Sequence, residues 1–238
     1  MDLSQITTGA TIKPPTIFLY GVEGIGKTTF AAHAPSPVFI PTEDGLGVLP
    51  AARFPLAKKY SDVVDAITTL SNEKHEFKTA VIDSADWLEQ LIWAQVNVKY
   101  SQQEQAYGKG QVFAADYMKR ILNGLTYLRD TKGMTVILLG HAQVKHFKSP
   151  EVDDFDRYMS KLQERTSALV REWCDCLLFA NYEIFSHDGK GAFNGKRYLF
   201  TTEAPGHLAK NRFGLEDRIE LSWSAFSDAI SSSFNKQA

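Results

Sequence analysis

With 238 residues, 44% of them apolar, the chain fits one large domain, or one domain with appendages, and can bury a full core. A formal charge of −2 excludes a globally basic nucleic-acid binder, so contact with DNA or RNA has to come from local patches or from assembly. No stretch approaches about 18 consecutive apolar residues, and the polar segment 1–15 lacks the apolar run of a signal peptide; the expectation is a soluble, cytoplasmic protein with no membrane partner.

The first apolar run, Thr16 to Tyr20, reads as a strand. It leads into Gly21-Val22-Glu23-Gly24-Ile25-Gly26-Lys27-Thr28-Thr29, the pattern G-x-x-x-x-G-K-T, at the head of a helix-compatible stretch, Lys27 to Ala34. Here the glycines let backbone N–H groups curl around phosphate oxygens, and the helix start adds its positive end. Lys27 would reach the β- and γ-phosphates and the Thr28 hydroxyl would coordinate Mg²⁺. Prolines 35 and 37 end the helix, and a second strand, Val38 to Pro41, runs into Thr42-Glu43-Asp44-Gly45.

Residues 46–60 look irregular, after which Ser61-Asp62 can cap a helix carrying Val63, Ile67 and Leu70 on one face. Thr79 to Asp83 is a short apolar strand ending in a carboxylate, of the kind buried in a parallel sheet. Helices are expected from Asp86, with Leu88, Leu91, Ile92 and Val96, and over Gln111 to Asp130, stopped by Gly133. Thr135 to Gly140 is a third buried strand, ending in His141-Ala142-Gln143; Val144 to Tyr158 is charged, without a clear period, and reads as a loop. A helix over Ser160 to Trp173 precedes the strand Cys176 to Phe185. Asp188-Gly189 and Asn194-Gly195 are turn signals ahead of Arg197 to Thr202, which should pair with that strand. Arg218 to Leu221 is the last strand, and Ser222 caps a terminal helix fading into Ser231-Ser232-Ser233. Cys174 and Cys176 are too close along an extended segment for an ordinary bridge and have no second pair for zinc; they read as buried thiols. Strands alternating with helices, followed by antiparallel strands, imply an α/β domain with a mainly parallel sheet flanked by helices and an antiparallel extension at its C-terminal edge.

Hydrolysis at a P-loop also needs a carboxylate near the metal and a group that activates water. Asp83 has the Walker B position, but Ser84, not a glutamate, follows it. The base is therefore expected elsewhere. Glu43 is the candidate, with Asp44 as fallback, because parallel strands open all their carboxyl ends on one edge. The same geometry brings His141 and Gln143 to the γ-phosphate as candidate sensors. Late in the chain, Lys210-Asn211-Arg212 places two cations one residue apart, on the same side of an extended segment, able to grip a phosphate together.

Taken in order, the P-loop, the glutamate after the next strand, the Walker B aspartate, the strand ending in a polar sensor and the late K-x-R-x-G resemble the RecA superfamily of oligomeric P-loop ATPases. The stretches Thr42 to Gly47 and Lys210 to Gly214 are similar to those of small phage-encoded AAA-domain or Sak-type single-strand annealing ATPases. The resemblance implies a RecA-like ATPase domain over 16–230, between a polar segment 1–15 and a polar tail 231–238, using ATP and Mg²⁺. It makes Asp83 and Thr28 the metal residues, Glu43 the base, Gln143 the sensor, and Lys210 with Arg212 a finger reaching a neighbouring subunit's nucleotide. It further implies self-association as a ring or filament, action on single-stranded DNA in phage-type recombination within a bacterial host's cytosol, and phage recombination proteins or a single-strand-binding protein as partners. DNA contact would fall to Lys99 to Lys109 and Lys145 to Lys148, which mix cations with aromatics, although Glu151, Asp153, Asp154 and Asp156 follow the second. Two other readings of the residues are a helicase-type motor or loader, which shares the K-x-R finger, and a nucleotide kinase, which would need an arginine-bearing lid the chain does not display.

Overall fold

The computed structural model describes residues 2, 5, 6, 13–47, 49–150, 152–187 and 190–237, with backbone alone for 184–187, 190–194 and 235–237. The turn signal Asp188-Gly189 lies outside the described residues. In chain order the elements are β1 (Thr16–Gly21), α1 (Lys27–Ala32), β2 (Pro37–Pro41), β3 (Ala52–Arg53), α2 (Tyr60–Asn72), β4 (Thr79–Asp83), α3 (Ala85–Lys99), α4 (Lys109–Lys132), β5 (Thr135–Phe147), β6 (Phe155–Ser160), α5 (Glu164–Trp173), β7 (Cys176–His187), β8 (Lys190–Phe200), β9 (Lys210–Asn211), β10 (Arg218–Glu220) and α6 (Trp223–Gln237).

The sheet runs β10-β8-β7-β1-β5-β4-β2-β3. From β7 to β3 every neighbour is parallel, while β8 and β10 continue it antiparallel. Alternation along the strands divides the core. Phe18, Tyr20, Ile40, Ile82 and Leu138 face the layer of α2, α3, α4 and α5; Ile17, Leu19, Phe39, Val81 and Ile137 face Phe30 of α1 and Phe226 of α6. Because both faces are covered, these strands are apolar along their whole length, which is why they were legible as buried parallel strands.

Several local expectations are corrected. The segment Val144 to Tyr158 is not a loop throughout: β5 continues to Phe147 and pairs antiparallel with β6, matching Lys145 with Arg157, His146 with Asp156 and Phe147 with Phe155. That hairpin leaves the core, so cross-strand charge and aromatic pairs take the place of an apolar face. Ser160 closes β6, and the following helix starts only at Glu164. Asn194-Gly195 belongs to β8, at a break in register where Tyr182 faces Arg197 and Ile184 faces Phe193, so it forms a bulge and not a turn. Helix α6 continues through the serines to Gln237, and α2 starts at Tyr60, with Asp62 reaching back to the Lys58 and Lys59 amides at 2.9 and 3.2 Å in place of a Ser61 cap.

Tyr20, fully buried one residue before the P-loop, joins three parts of the chain. Its hydroxyl donates to the Leu208 carbonyl at 2.6 Å and accepts from the Leu208 amide at 3.1 Å, with the Tyr158 carbonyl of β6 3.3 Å away. Replacing it with phenylalanine strands a buried peptide group. We predict that Tyr20→Phe lowers stability by about 1–3 kcal/mol, read as a lower urea midpoint at unchanged slope.

Candidate nucleotide site

Glycine makes the loop between β1 and α1 feasible: Gly24 and Gly26 have φ of 70° and 109°, where a side chain is strained. Lys27 begins α1 almost fully buried, its Nζ donating to the Gly21 and Val22 carbonyls at 3.1 and 3.0 Å. Burial lowers its pKa, against the pull of Asp83, Asp86, Glu43 and Glu23. The next side chain, Thr28, donates from Oγ1 to Asp83 Oδ2 at 3.0 Å.

Asp83 closes β4 at 5% exposure. Burial pushes its pKa up to about 6; Glu43 adds to the rise, while the Thr28 bond, Lys27 and His141 oppose it. Together Thr28 and Asp83 supply two oxygen donors 3.0 Å apart, a donor type suited to a hard cation. Among the described residues no group of three His, Cys, Asp or Glu could hold a metal, so a cation here has to bring further oxygen ligands with it.

Glu43 reaches the same edge from β2. Thr42 staples it there: its amide donates to the Asp83 carbonyl at 2.8 Å, and its hydroxyl donates to the Ser84 carbonyl at 2.7 Å and accepts from the Ser84 amide at 2.8 Å. The Glu43 side chain is half-buried, whereas Asp44 is exposed. The Glu43 Oε1 lies 3.9 Å from Nε2 of His141, which sits midway along β5 and pairs with Gly21, the last residue of β1. The imidazole is held from behind by Asp86, whose carboxylate accepts from the His141 amide at 3.1 Å and binds Nδ1 at 2.9 Å. The Asp86 bond raises the His141 pKa against burial; for Asp86 burial pushes upward, but the bonds and charge of His141 outweigh it and the net shift is down.

Lys27, Thr28, Asp83, Glu43 and His141 thus converge. Gln143, two residues further on β5, spends its amide on the Ser160 carbonyl at 2.9 Å inside the hairpin. Lys210 and Arg212 lie elsewhere. Lys210 pairs with Leu177, and Arg212 bonds Asp175 Oδ1 at 3.3 Å and the Glu172 carbonyl at 3.1 Å. Asp175 also caps the first residue of β1, accepting from the Thr16 amide at 3.0 Å. The pair therefore sits at the amino edge of the parallel strands, roughly 16 Å along β1 from the P-loop. Two residues escaped the sequence. Asp86 read only as a helix start, and Arg197 of β8, whose Nη1 donates to the Ile25 carbonyl of the loop at 3.1 Å, is brought there by strand pairing that no local pattern announces.

A P-loop strand beside the strand of His141, with the Walker B strand one place further, covered by helices on both faces, defines a RecA-like P-loop ATPase. The family described as AAA domain matches residues 13–213, and the chain belongs to it. Among solved structures, the crystal structure of the RadB recombinase is similar to it over 90% of each chain, at 16% identity and a TM-score of 0.50, a likeness of fold. No curated protein matches the chain. No described helix is long and apolar enough to cross a membrane.

The Asp86–His141 pair carries a pH signature. Asp86, held below 3.8, stabilises the fold above that pH and loses its contribution as pH falls through its depressed value. His141, held above 6.5, stabilises the fold below that pH and loses its contribution as pH rises through its raised value. Asp86→Asn is therefore expected to cost about 1–2 kcal/mol at pH 6, less than a fully buried pair because His141 is partly solvated. The gap to the parent protein should narrow by pH 9 in urea denaturation, and the imidazole should titrate at lower pH in the variant.

Proposed function

We propose that the chain is an ATP-hydrolysing protein that self-assembles and acts on single-stranded DNA in recombination of the phage type, annealing or exchanging strands. The observation that carries the hydrolytic reading is the meeting of Glu43 and His141 at the edge where the loop from Gly21 to Thr29 opens. Lys27 turns from the loop's own carbonyls to the β- and γ-phosphates. Thr28 and Asp83 would hold Mg²⁺, which when bound would neutralise charge on those phosphates. Glu43 takes the proton of the attacking water, and His141, kept in orientation by Asp86, contacts the terminal phosphate in the role the family resemblance gives to Gln143.

Lys27, His141 and Arg197, on the Ile25 carbonyl of the loop, are the cations the fold brings to this edge; the distance of Lys210 and Arg212 from it, at the amino ends of the parallel strands, is the argument for their acting on a neighbouring subunit. An oligomer whose subunits meet head to tail, as ring or filament, sets one subunit's amino edge against the next one's nucleotide. For DNA, Tyr107 presents a fully exposed ring in the α3–α4 connection beside Lys109, suited to base stacking. In the hairpin, Asp154 and Asp156 lie 3.5 and 3.2 Å from the two ring nitrogens of His146. RadB is by name a recombinase, which supports the same reading. A single-strand-binding protein or other phage recombination proteins would be the natural partners.

Subunit mixing tests the shared site. Glu43→Gln should lower kcat by about 10²–10⁴ and Arg212→Ala by about 10³ or more, while Lys27→Ala abolishes turnover. An equal mixture of Glu43→Gln and Arg212→Ala subunits should recover roughly a quarter of the parent activity, because random assembly restores that share of complete interfaces. A mixture no more active than its parts refutes the finger in trans. Stimulation of turnover by single-stranded DNA, and faster joining of complementary strands, distinguish this function from a helicase, which would displace strands on a fork, and from a kinase, which would phosphorylate an acceptor.

A further inference from the structure

Helix α3 buries two carboxylates on one face, Asp86 and, one turn further on, Glu89. Asp86 holds the His141 ring and amide. Glu89 is 6% exposed and stands outside the cluster at the P-loop. Its Oε2 accepts from the Gln163 amide at 3.0 Å, and the Thr166 hydroxyl bonds the same carboxylate. Both partners lie where the chain leaves β6 of the hairpin and enters α5. This connector is tied back to β5 as well. The Lys161 amide donates to the His141 carbonyl at 2.8 Å, and the Ser160 carbonyl accepts from the Gln143 side chain at 2.9 Å. The bonds close a ring that runs from His141 through Asp86, along α3 to Glu89, across to Gln163 and back by Lys161.

The second oxygen of Glu89, Oε1, is buried with no hydrogen-bond partner among the described residues. Burial pushes the Glu89 pKa up, against the bonds from Thr166 and Gln163 and the charge of Lys145, while Asp86 adds to the rise. A buried carboxylate with one oxygen unbonded is a poor device for stability, since an apolar side chain of its size avoids the desolvation cost. What it supplies is direction. Leu88, Ile92 and Val96 bury the helix by apolar packing, which is non-directional. Two carboxylates one turn apart, bonded to different segments, fix its rotation and hold Asp86 level with His141. We propose that Glu89 is a positioning residue for hydrolysis: by holding α3 to the connector between β6 and α5, it keeps Asp86 on His141 and the imidazole aimed at the terminal phosphate. Glu89 itself touches no substrate.

The proposal rests on the hydrolytic reading of the Glu43–His141 edge, and two kinds of measurement on the intact chain separate them: steady-state ATP turnover with Mg²⁺, and titration of the His141 imidazole by NMR, assigned by its loss in His141→Gln. Glu89→Ala should lower kcat by about 10–100-fold and leave KM for ATP within about twofold. It should also bring the His141 titration down toward the ordinary value of 6.5. Glu89→Gln, whose side-chain oxygen accepts the same two bonds, should keep kcat within about threefold of the parent and retain the raised His141 titration. A lower urea midpoint for Glu89→Ala with kcat and the His141 titration as in the parent overturns the proposal. So does an equal loss of kcat in Glu89→Gln and Glu89→Ala, because the bonds survive in one and not in the other. If the parent protein hydrolyses no ATP, the hydrolytic reading falls, and the imidazole titration alone decides whether Glu89 positions His141. Should Glu89→Ala fail to fold, Thr166→Val, which removes one of the two donors, decides by the same readouts: a smaller loss in kcat with a lowered His141 titration supports the proposal, and parent values overturn it.

Discussion

The site depends on one constraint, the shared polarity and register of β1, β5, β4 and β2. Gly21 pairs with His141, and Asp83 with Pro41, so β1, β4 and β2 end along one edge, while β5 passes it at His141 and runs on into the hairpin. The order β1-β5-β4 places a full strand between the P-loop and the Walker B aspartate, a gap of two strand spacings or roughly 10 Å. Asp83 therefore cannot touch the loop from its own strand. It is Thr28, carried forward on α1, that bridges the gap, and His141, where the intervening strand leaves its parallel neighbour β1, that fills it. Thr42 then ties β2 to β4 by bonds to both sides of the Asp83–Ser84 peptide, fixing the carboxylate next to it in sequence.

Charge is the second organising element. Four carboxylates, Asp83, Asp86, Glu43 and Glu23, act on Lys27 at this edge, with His141 beside them and Arg197 held on the Ile25 carbonyl of the loop. Asp86 is committed to His141 and is depressed by it, whereas Asp83, with a single hydroxyl donor, is raised. The difference follows from partners: Asp86 has the His141 amide and ring against its burial, Asp83 one hydroxyl. A triphosphate adds more negative charge to a site already acidic, so binding has to recruit positive charge from outside the cluster. Mg²⁺ on Thr28 and Asp83 meets part of that demand in the proposed mechanism, and a neighbour's Lys210 and Arg212 meet the rest. Arg212 is bound to Asp175 within its own subunit, so in the proposed assembly its move to a neighbour's phosphate would exchange one charge-assisted pair for another.

How much of this was legible follows from where each residue sits. Buried parallel strands are apolar throughout, and the P-loop has a fixed spacing, so β1, β2, β4, the core of β5 and the start of β7 were readable, as was the edge on which Asp83, Glu43 and His141 meet. Residues whose position depends on pairing were not. The β5–β6 hairpin carries charges on both strands because it stands off the core, so its period was hidden. Arg197 arrives through an antiparallel strand with an internal bulge. Asp86 was visible as a residue but not as the partner of His141, since the link between α3 and β5 is purely tertiary. The residues alone left His141 and Gln143 open and the resemblance favoured Gln143; the Gln143 amide is bonded to Ser160 in the hairpin, whereas Asp86 holds the His141 ring.

The hydroxyl of Tyr20 gives the fold its route between distant parts. It sits one residue before the P-loop and is bonded to Leu208, two residues before Lys210, with the carbonyl of Tyr158 in the hairpin beside it. Arg157, the neighbour of Tyr158, is buried against Glu203 at 2.7 Å and stacks over Phe147 at 4.8 Å, which fixes the hairpin to the same segment. The stacked rings of Tyr158, Phe179 and His207 fill the space between. A displacement of the hairpin, the P-loop strand or the 203–212 segment consequently disturbs the other two, because close-packed interiors transmit strain and do not absorb it. In an assembly where the hairpin meets DNA and the 210–212 segment meets the next subunit's nucleotide, this buried joint is the point at which the two contacts constrain each other. Its location beside the P-loop strand links both to the subunit's own nucleotide.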